Sequence, residues 1–252
     1  MIGVSSTSFS AYPFEDVIEG VSKFFKHWEI FSEAEHHLPV IAPGLAMVME
    51  NYDMTFSIHA PICDINIASL NERVRETSVT EILNMVEYAV NMGMRTVTFH
   101  PGLYSLAVPD MEDRAIFNAK RSIRTLDRIS EEYGVILAVE NMPSMPFMLG
   151  HTAGEMSELV EGTNMPICFD IGHANTTGQI DDIIDSLGDR FVNIHIHDND
   201  GTSDQHSTIG EGTIDFEHVL KKLGNYRGNY IIESRSLDSA VDSLDRLTSL
   251  LG

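Results

Sequence analysis

Cysteine is scarce in this sequence of 252 residues. Cys63 and Cys168 are the only two, and they do not form a Cys-x-x-Cys pair. Two cysteines exclude a framework of several disulfides, and without a Cys-x-x-Cys pair a thiolate zinc site is not expected. Cys168 lies inside an apolar run, which is typical of a small core residue.

Long apolar runs are also missing. No stretch of the sequence approaches the roughly 18 apolar residues of a membrane span. The segment that starts at Met1 shows no basic residues followed by an apolar run, as a signal peptide would. We therefore expect no membrane partner and, by default, a cytoplasmic location.

Basic residues are few. The chain has 16 Lys and Arg against 38 Asp and Glu, which gives a formal net charge of −22. Such a surface favours solubility and repels the phosphates of nucleic acid. We therefore expect a small-molecule substrate and not nucleic acid as the partner, although bound metal ions would supply local positive charge. Assembly into a homo-oligomer stays open.

The sequence does contain short apolar runs that alternate with longer helical patterns. Hydrophobic residues make up 43% of the chain, enough for a sizeable core. Apolar side chains recur at three- and four-residue spacing between the runs, as helices require. The runs that we interpret as strands are residues 2–5, 28–31, 55–59, 96–100, 135–140, 167–170, 192–197 and 230–233.

This alternation predicts the fold class. Mostly apolar strands separated by helices indicate a parallel sheet that is buried on both faces. Eight units in about 250 residues predict a single (β/α)₈ TIM barrel, one domain over residues 1–252. The alternative, an open doubly wound sheet, needs a glycine-rich loop after the first strand, and residues 5–10 read Ser-Ser-Thr-Ser-Phe-Ser. Pro39 and Pro43 predict a brief or broken helix in the second unit.

The strand ends carry the functional signal. Six consecutive strands, from the third to the eighth, end in His, Asp or Glu, and in a barrel such ends converge on one mouth where active sites are built. These residues are His59, His100, Glu140, Asp170, His195 and Glu233. His173, Asp204 and His206 fall in loops above the same mouth, as do His36 and His37, for which contact with substrate stays open.

The chemistry of this set suits a divalent metal ion. Imidazole and carboxylate without thiolate are compatible with zinc, manganese, iron, cobalt or magnesium. A single His or Asp at the end of a strand is more often a helix cap or a hydrogen-bonded polar group of the core than a metal ligand. Packed together without a metal, however, these residues would be costly through repulsion and desolvation. The predicted core metal set is Glu140, Asp170, His195 and Glu233.

The same residues lie in motifs that resemble the xylose-isomerase-like barrel superfamily over the whole chain. This superfamily contains sugar and sugar-phosphate isomerases and epimerases, together with the abasic-site nucleases of the endonuclease IV class (AP endonuclease family 2). The matching motifs are His59-Ala60-Pro61, Phe99-His100-Pro101-Gly102, Val139-Glu140-Asn141, Phe169-Asp170-Ile171-Gly172-His173, His195-Ile196-His197-Asp198 and residues 204–212, Asp-Gln-His-Ser-Thr-Ile-Gly-Glu-Gly.

In the isomerase branch, the resemblance implies that Glu140 and Glu233 are both metal ligands and the acid and base acting on the substrate carbons. It implies that His173 helps to hold substrate and favours His195 over His197 as the ligand, although both share one strand parity. Further candidates for substrate contact are His100, His206 and Arg235. Arg235 could reach a substrate phosphate, but a surface ion pair is its more ordinary role.

In the nuclease branch, nine ligands hold three zinc ions, and the resemblance finds a match for each of them. The nine are His59, His100, Glu140, Asp170, His173, His195, Asp204, His206 and Glu233. Three features depart from that branch. Where the nuclease pattern reads Asp-Thr-Cys-His, this chain has Gly172 in place of the Cys. Where the nuclease has Asn before the Asp of the seventh-strand motif, this chain has His197, and its loop after that motif is shorter. The loop after His59, residues 61–66, holds no Lys, Arg, Tyr or Trp.

The sequence therefore predicts a divalent-metal-dependent isomerase or epimerase of a small sugar, sugar phosphate or polyol, in which Glu140 and Glu233 move the proton. The alternative is a zinc-dependent phosphodiester hydrolase of the endonuclease IV kind, acting on abasic sites in DNA repair. A non-catalytic metal-binding barrel is the third class. One to three ions are expected, zinc or manganese first.

Overall fold

The eight predicted strands close into a barrel. The structure, a computed structural model, describes residues 1–7, 9–105, 107–224 and 226–252. Every strand pairs in parallel with the next, and the eighth pairs with the first, so the predicted (β/α)₈ barrel is confirmed. The strands are β1 (Ile2–Ser5), β2 (His27–Phe31), β3 (Thr55–His59), β4 (Thr96–Phe99), β5 (Ile136–Glu140), β6 (Ile167–Asp170), β7 (Phe191–Ile196) and β8 (Asn229–Ile232).

Helices follow the strands and form the outer ring of such a barrel. Over the described residues they are α1 (Phe14–Phe24), α2 (Leu38–Asn51), α3 (Glu72–Met92), α4 (Glu112–Tyr133), α5 (Ala153–Leu159), α6 (Ile171–Thr177), α7 (Ile180–Leu187), α8 (Phe216–Leu223) and α9 (Leu237–Leu251). Short 3₁₀ turns lie at Ala34–His36 and Gly188–Arg190. Within the described ranges, no helix has both the length and the apolar character that a bilayer crossing requires.

The second unit differs from the prediction. α2 is a continuous helix of 14 residues, so the expectation of a brief or broken helix is wrong. Pro39 stands in the first turn, where backbone N–H groups lack intrahelical partners anyway. Pro43 removes one hydrogen bond, to the carbonyl of Pro39, but Leu38 and Leu45 are fully buried on the same helix. Burial of this apolar face outweighs the lost bond.

His36 does not lie open to substrate at the mouth. Its side chain is fully buried, and its ring packs edge-on against the rings of Phe9, Phe14 and Trp28 at centroid distances of 6.1, 5.7 and 5.5 Å. Burial lowers the pKa of His36 to about 4 because the charged imidazolium would lose its hydration. His36 therefore belongs to an aromatic core beneath the loop that follows β2.

The replacement His36→Phe should make stability less dependent on pH. The pKa of His36 is about 4 in the folded chain and 6.5 as the reference value, so the unfolded chain takes up the proton first as pH falls. Between pH 7 and pH 5 this costs the wild type about 2 kcal/mol of unfolding free energy that the variant keeps. Urea unfolding of both proteins at each pH measures the difference. All other titrating groups are shared and cancel, so equal pH slopes would contradict the expectation.

Candidate active site

The mouth at the carboxyl ends of the strands encloses a cavity of about 320 Å³. Seven of the nine residues predicted as metal ligands line it: His59, His100, Glu140, His173, Asp204, His206 and Glu233. The other two, Asp170 and His195, are fully buried at the ends of β6 and β7. Thr7 and five apolar residues complete the lining, the latter being Phe31, Ile62, Pro143, Met145 and Met148. The structure thus brings all nine residues to one mouth.

Glu140 lies within hydrogen-bonding reach of four imidazoles. Its Oε2 is 3.1 Å from His59 Nε2 and 3.3 Å from His100 Nε2. Its Oε1 is 3.1 Å from His195 Nδ1 and 3.4 Å from His173 Nδ1. Burial acts to raise the pKa of Glu140, but His195, His100 and His59 outweigh it and hold that pKa well below its usual value. The carboxylate is therefore ionised, as a metal ligand must be.

In the predicted core metal set, one nitrogen atom of His195 lies close to all three carboxylates. His195 Nδ1 is 3.1 Å from Glu140 Oε1, 3.6 Å from Glu233 Oε1 and 3.9 Å from Asp170 Oδ2. Burial acts to lower the pKa of His195, but the charges around it, those of Glu140 and Glu233 among them, raise that pKa well above its usual value. A divalent cation would supply the positive charge that these carboxylates otherwise draw from imidazolium.

Glu29, in the middle of β2, was not predicted from the sequence. It is fully buried, and its Oε1 lies 2.7 Å from His195 Nε2. Its Oε2 accepts hydrogen bonds from Asn193 Nδ2 at 2.8 Å and Ser57 Oγ at 3.2 Å. A carboxylate that binds the far nitrogen of a metal-ligating imidazole orients the ring and makes it a stronger ligand.

A sequence signal for Glu29 existed. It stands between Trp28 and Ile30 in a run that was already interpreted as a strand, and both neighbours are fully buried. An acid enclosed in such a run needs a buried partner, because an unpaired buried carboxylate is costly. Only the closed barrel identifies that partner as His195.

A second group of ligand-type residues lies beside the first. Asp204 Oδ2 is 3.3 Å from His173 Nε2 and 3.1 Å from His206 Nε2, while Asp204 Oδ1 is 3.4 Å from His197 Nε2. His197 is buried and faces inward like His195, as their shared strand parity predicts. His173 is fixed by its Nδ1, which is 2.8 Å from the carbonyl oxygen of Asn141. The resemblance found in the sequence favours His195 over His197 and gives no role to His197 as a ligand.

The loop that carries Asp204 and His206 is organised by Asp198. The Asp198 carboxylate accepts hydrogen bonds at 2.8 to 3.3 Å from four backbone N–H groups, those of Asn199, Gly210, Gly212 and Ile214. Gly212 has to be glycine, because a Cβ there would overlap the carbonyl of Asn199. This explains why the Asp204–Gly212 motif follows the seventh-strand motif so closely.

Arg235 is the one predicted substrate contact that lies apart from the others. Its side chain is exposed, and its Nε donates a hydrogen bond of 2.7 Å to the carbonyl oxygen of Gln205. It does not appear among the described residues that line the cavity. Arg235 therefore fastens the loop between Asp204 and His206.

Buried polar atoms without partners mark the same mouth. Within the described residues, atoms of this kind include Asp170 Oδ2, both ring nitrogens of His197, Asp204 Oδ1, His206 Nδ1 and Glu233 Oε1. Buried polar groups are normally hydrogen-bonded, so each of these needs an explanation. All five residues belong to groups whose ligand atoms lie within 4.8 Å of one another, close enough to share an ion. The residues present therefore fit bound divalent metal.

The replacement Glu29→Gln should weaken metal binding without unfolding the barrel. The amide keeps the volume of the carboxylate but removes the charge that orients His195, and loss of such a partner costs about 10- to 100-fold in metal affinity. Competition with a chromogenic chelator measures the dissociation constant for zinc. Glu50→Gln, an exposed position in α2, is the matched control. Equal zinc affinities of the Glu29 variant and the wild type would count against this role.

The sequence is similar to two relatives that match different shares of the chain. The uncharacterized protein MJ1311 of Methanocaldococcus jannaschii is 34% identical over 259 residues, which cover 99% of this chain and 88% of that protein. A probable endonuclease 4 of Staphylococcus carnosus is 27% identical over 67% of this chain and 62% of that protein. The similarity to the nuclease thus leaves a third of the chain outside the match.

Solved structures match the whole barrel. A D-tagatose 3-epimerase-like protein superposes with a TM-score of 0.93 at 33% identity, covering 99% of this chain and 96% of that one. An IOLI protein with a binding zinc atom has a TM-score of 0.81 at 18% identity, covering 99% and 97%, a likeness that shows the fold alone. The family model described as xylose isomerase-like TIM barrel matches residues 25–250. The predicted superfamily is confirmed: this chain belongs to the xylose isomerase-like TIM barrel family.

Proposed function

We propose that this protein is a divalent-metal-dependent epimerase or isomerase of a small sugar or polyol. The observation that carries the proposal is a pair of buried carboxylates, Glu140 and Glu233, which line one cavity and both approach His195 Nδ1. The cavity of about 320 Å³ is at the low end of the range for small-molecule sites, roughly 300 to 1,000 Å³. Similarity to a D-tagatose 3-epimerase-like protein supports the same class of substrate.

Two carboxylates can divide the chemistry of epimerisation between them. One carboxylate removes a proton from the carbon next to a carbonyl. The electron pair of the broken C–H bond then forms a C–C double bond, and negative charge develops on the carbonyl oxygen. The other returns a proton to the opposite face of the same carbon, so the configuration is inverted without net oxidation. A divalent ion held by Glu140, Asp170, His195 and Glu233 would polarise that carbonyl and favour negative charge on its oxygen.

The rest of the lining suits a neutral sugar. His100, His173 and His206 bring imidazoles to the cavity for hydroxyl groups, and Phe31 with Met145 forms part of an apolar wall that excludes water. Neither Lys nor Arg occurs among the described lining residues. A phosphate group would find no Lys or Arg to pair with there, so the lining favours an unphosphorylated sugar or polyol over a sugar phosphate.

Phosphodiester hydrolysis is the second candidate, because all nine residues that match the ligands of the nuclease branch meet at this mouth. The surroundings do not favour it. A duplex carries one negative charge per ~1.7 Å of its axis and requires several cations for binding. The chain has a net charge of −22, and the described part of the cavity lining offers no cationic side chain other than histidine.

The replacements Glu140→Gln and Glu233→Gln should each abolish epimerisation. Each amide preserves the volume but cannot remove a proton, and general acid–base groups contribute about 10²- to 10⁴-fold to the rate. Incubating zinc- or manganese-loaded protein with a panel of ketoses in D₂O, followed by mass spectrometry, measures exchange at the carbon beside the carbonyl. Glu50→Gln is the matched control. Activity of either mouth variant within a few-fold of the wild type would remove the carboxylate pair from the mechanism.

Abasic-site duplex DNA should be cut weakly or not at all at physiological salt, for the electrostatic reasons given above. Incubation of the zinc-loaded protein with an abasic-site oligonucleotide tests this directly. Glu140→Gln serves as the control that separates incision by this site from incision by a contaminant. Robust, metal-dependent incision by the wild type that the variant lacks would overturn the epimerase proposal in favour of the nuclease.

A further inference from the structure

We propose that this chain holds a metal ion in a closed site of four protein ligands, His173, His197, Asp204 and His206, in which His197 is the ligand that closes the site. The ion is distinct from the one assigned above to Glu140, Asp170, His195 and Glu233. The resemblance to the nuclease branch covers three of the four ligands and has Asn in place of His197. The proposal does not depend on the sugar chemistry.

The distances from Asp204 to the three histidines match those of a tetrahedral zinc site. With zinc–ligand bonds of about 2.0 to 2.1 Å, the ligand atoms of a tetrahedron lie about 3.3 to 3.4 Å apart. Asp204 oxygens lie 3.3 Å from His173 Nε2, 3.1 Å from His206 Nε2 and 3.4 Å from His197 Nε2. The ligand atoms of all four residues lie within 4.8 Å of one another. Small side-chain adjustments therefore suffice to bind an ion.

His197 is buried, and it is available as a ligand. Its side chain is 1% exposed, and among the described residues neither ring nitrogen makes a hydrogen bond of good geometry, although Nε2 lies 3.2 Å from Asp170 Oδ1 and 3.4 Å from Asp204 Oδ1. Its ring stacks on that of His206 with centroids 4.1 Å apart and an interplanar angle of 8°. An imidazole enclosed in this way without a partner is costly, and a metal ion at Nε2 would satisfy it.

His197 also lies near the other metal group, since its Nε2 is 3.2 Å from Asp170 Oδ1. That oxygen is already used, because it accepts the backbone N–H of His173 at 2.6 Å and caps the first turn of α6. Asp170 Oδ2 remains for the core set, 3.9 Å from His195 Nδ1. Asp204 Oδ1 has no such competing partner within the described chain, which assigns His197 to the group around Asp204.

Gly172 makes room for the His197 ring. A Cβ at position 172 would overlap Cε1 and both ring nitrogens of His197. The nuclease pattern has Cys at the position of Gly172 and Asn at that of His197. The two departures are therefore adjacent in space, and the glycine in the first turn of α6 leaves room for the imidazole that follows β7. Together they add an imidazole to the group around Asp204.

A fourth protein ligand changes what this ion can do. A structural zinc site is tetrahedral with four protein ligands, whereas a catalytic ion, such as the one assigned to the core set, has to bind water or substrate at an open or an added position. A zinc ion held by all four side chains has no place left for a phosphate oxygen. It would instead tie the loop of residues 198–213, through Asp204 and His206, to the ends of β6 and β7. The site then shapes the cavity and leaves the chemistry to Glu140 and Glu233.

The test counts metal ions and reads their geometry. Wild type, His197→Asn and Gly172→Ala are loaded with zinc, and bound equivalents and dissociation constants are measured by mass spectrometry and chelator competition. Parallel loading with Co(II) reports tetrahedral coordination through its intense visible absorption. His218→Asn, an exposed histidine of α8 that contacts Asp181, is the matched control. Melting curves verify that each protein is folded.

We expect at least two ions in the wild type, one of them with the tetrahedral Co(II) spectrum. His197→Asn should lose that spectrum and bind this ion about 10-fold or more weakly, as loss of a metal-site partner does, while it retains the other ion. Gly172→Ala should do the same, because its Cβ displaces the ring. Wild-type stoichiometry and spectrum in a folded His197→Asn protein would overturn the proposal. A single ion in the wild type, held by the core set, would overturn it too and leave the proposed function intact.

Discussion

The Glu140 carboxylate is buried among four imidazoles, and much of the mouth is arranged to keep it ionised there. Removing a carboxylate from water costs several kcal/mol even after the protein relaxes, so its surroundings must return that energy. His59, His100, His195 and His173 supply it through short contacts to the two oxygens. A bound cation would serve the same carboxylate more strongly, which is why the geometry fits both a charged imidazole cluster and a metal centre.

The buried ligand-type side chains are also held by residues that are not ligands themselves. Glu29 binds the far side of His195 and is in turn held by Asn193. Asn141 joins the end of β5 to β6, since its side chain exchanges two hydrogen bonds with the backbone of Asp170 at 2.8 and 2.9 Å. The His195 ring and the Asp170 backbone are therefore each held by a residue from another part of the barrel, and closure of the barrel brings those residues together.

The sequence predicted the parts of this arrangement that depend on one segment at a time. Apolar runs and helical stripes located the eight strands, and strand-end residues located the mouth. Contacts between distant segments were not visible: Glu29 and His195 are 166 positions apart, and the room for His197 comes from a missing Cβ at Gly172. A local rule failed in α2, where packing of the buried face tolerates Pro43, and the aromatic core that encloses His36 was not visible from the sequence.

The two branches that this chain resembles share a core of four ligands, and the chain also matches the other five of the nuclease branch, so the ligands alone cannot separate an isomerase from a nuclease. What separates them lies beside the ligands. A nuclease has to leave a coordination position open to a phosphate and has to hold a duplex with cations. Here His197 lies beside Asp204, where as the proposed fourth ligand it would fill the open position, and the described lining carries no Lys or Arg. A surface with a net charge of −22 adds long-range repulsion. The same nine residues would therefore serve a small neutral substrate in the proposed function, because their neighbours would decide which molecules reach a bound metal.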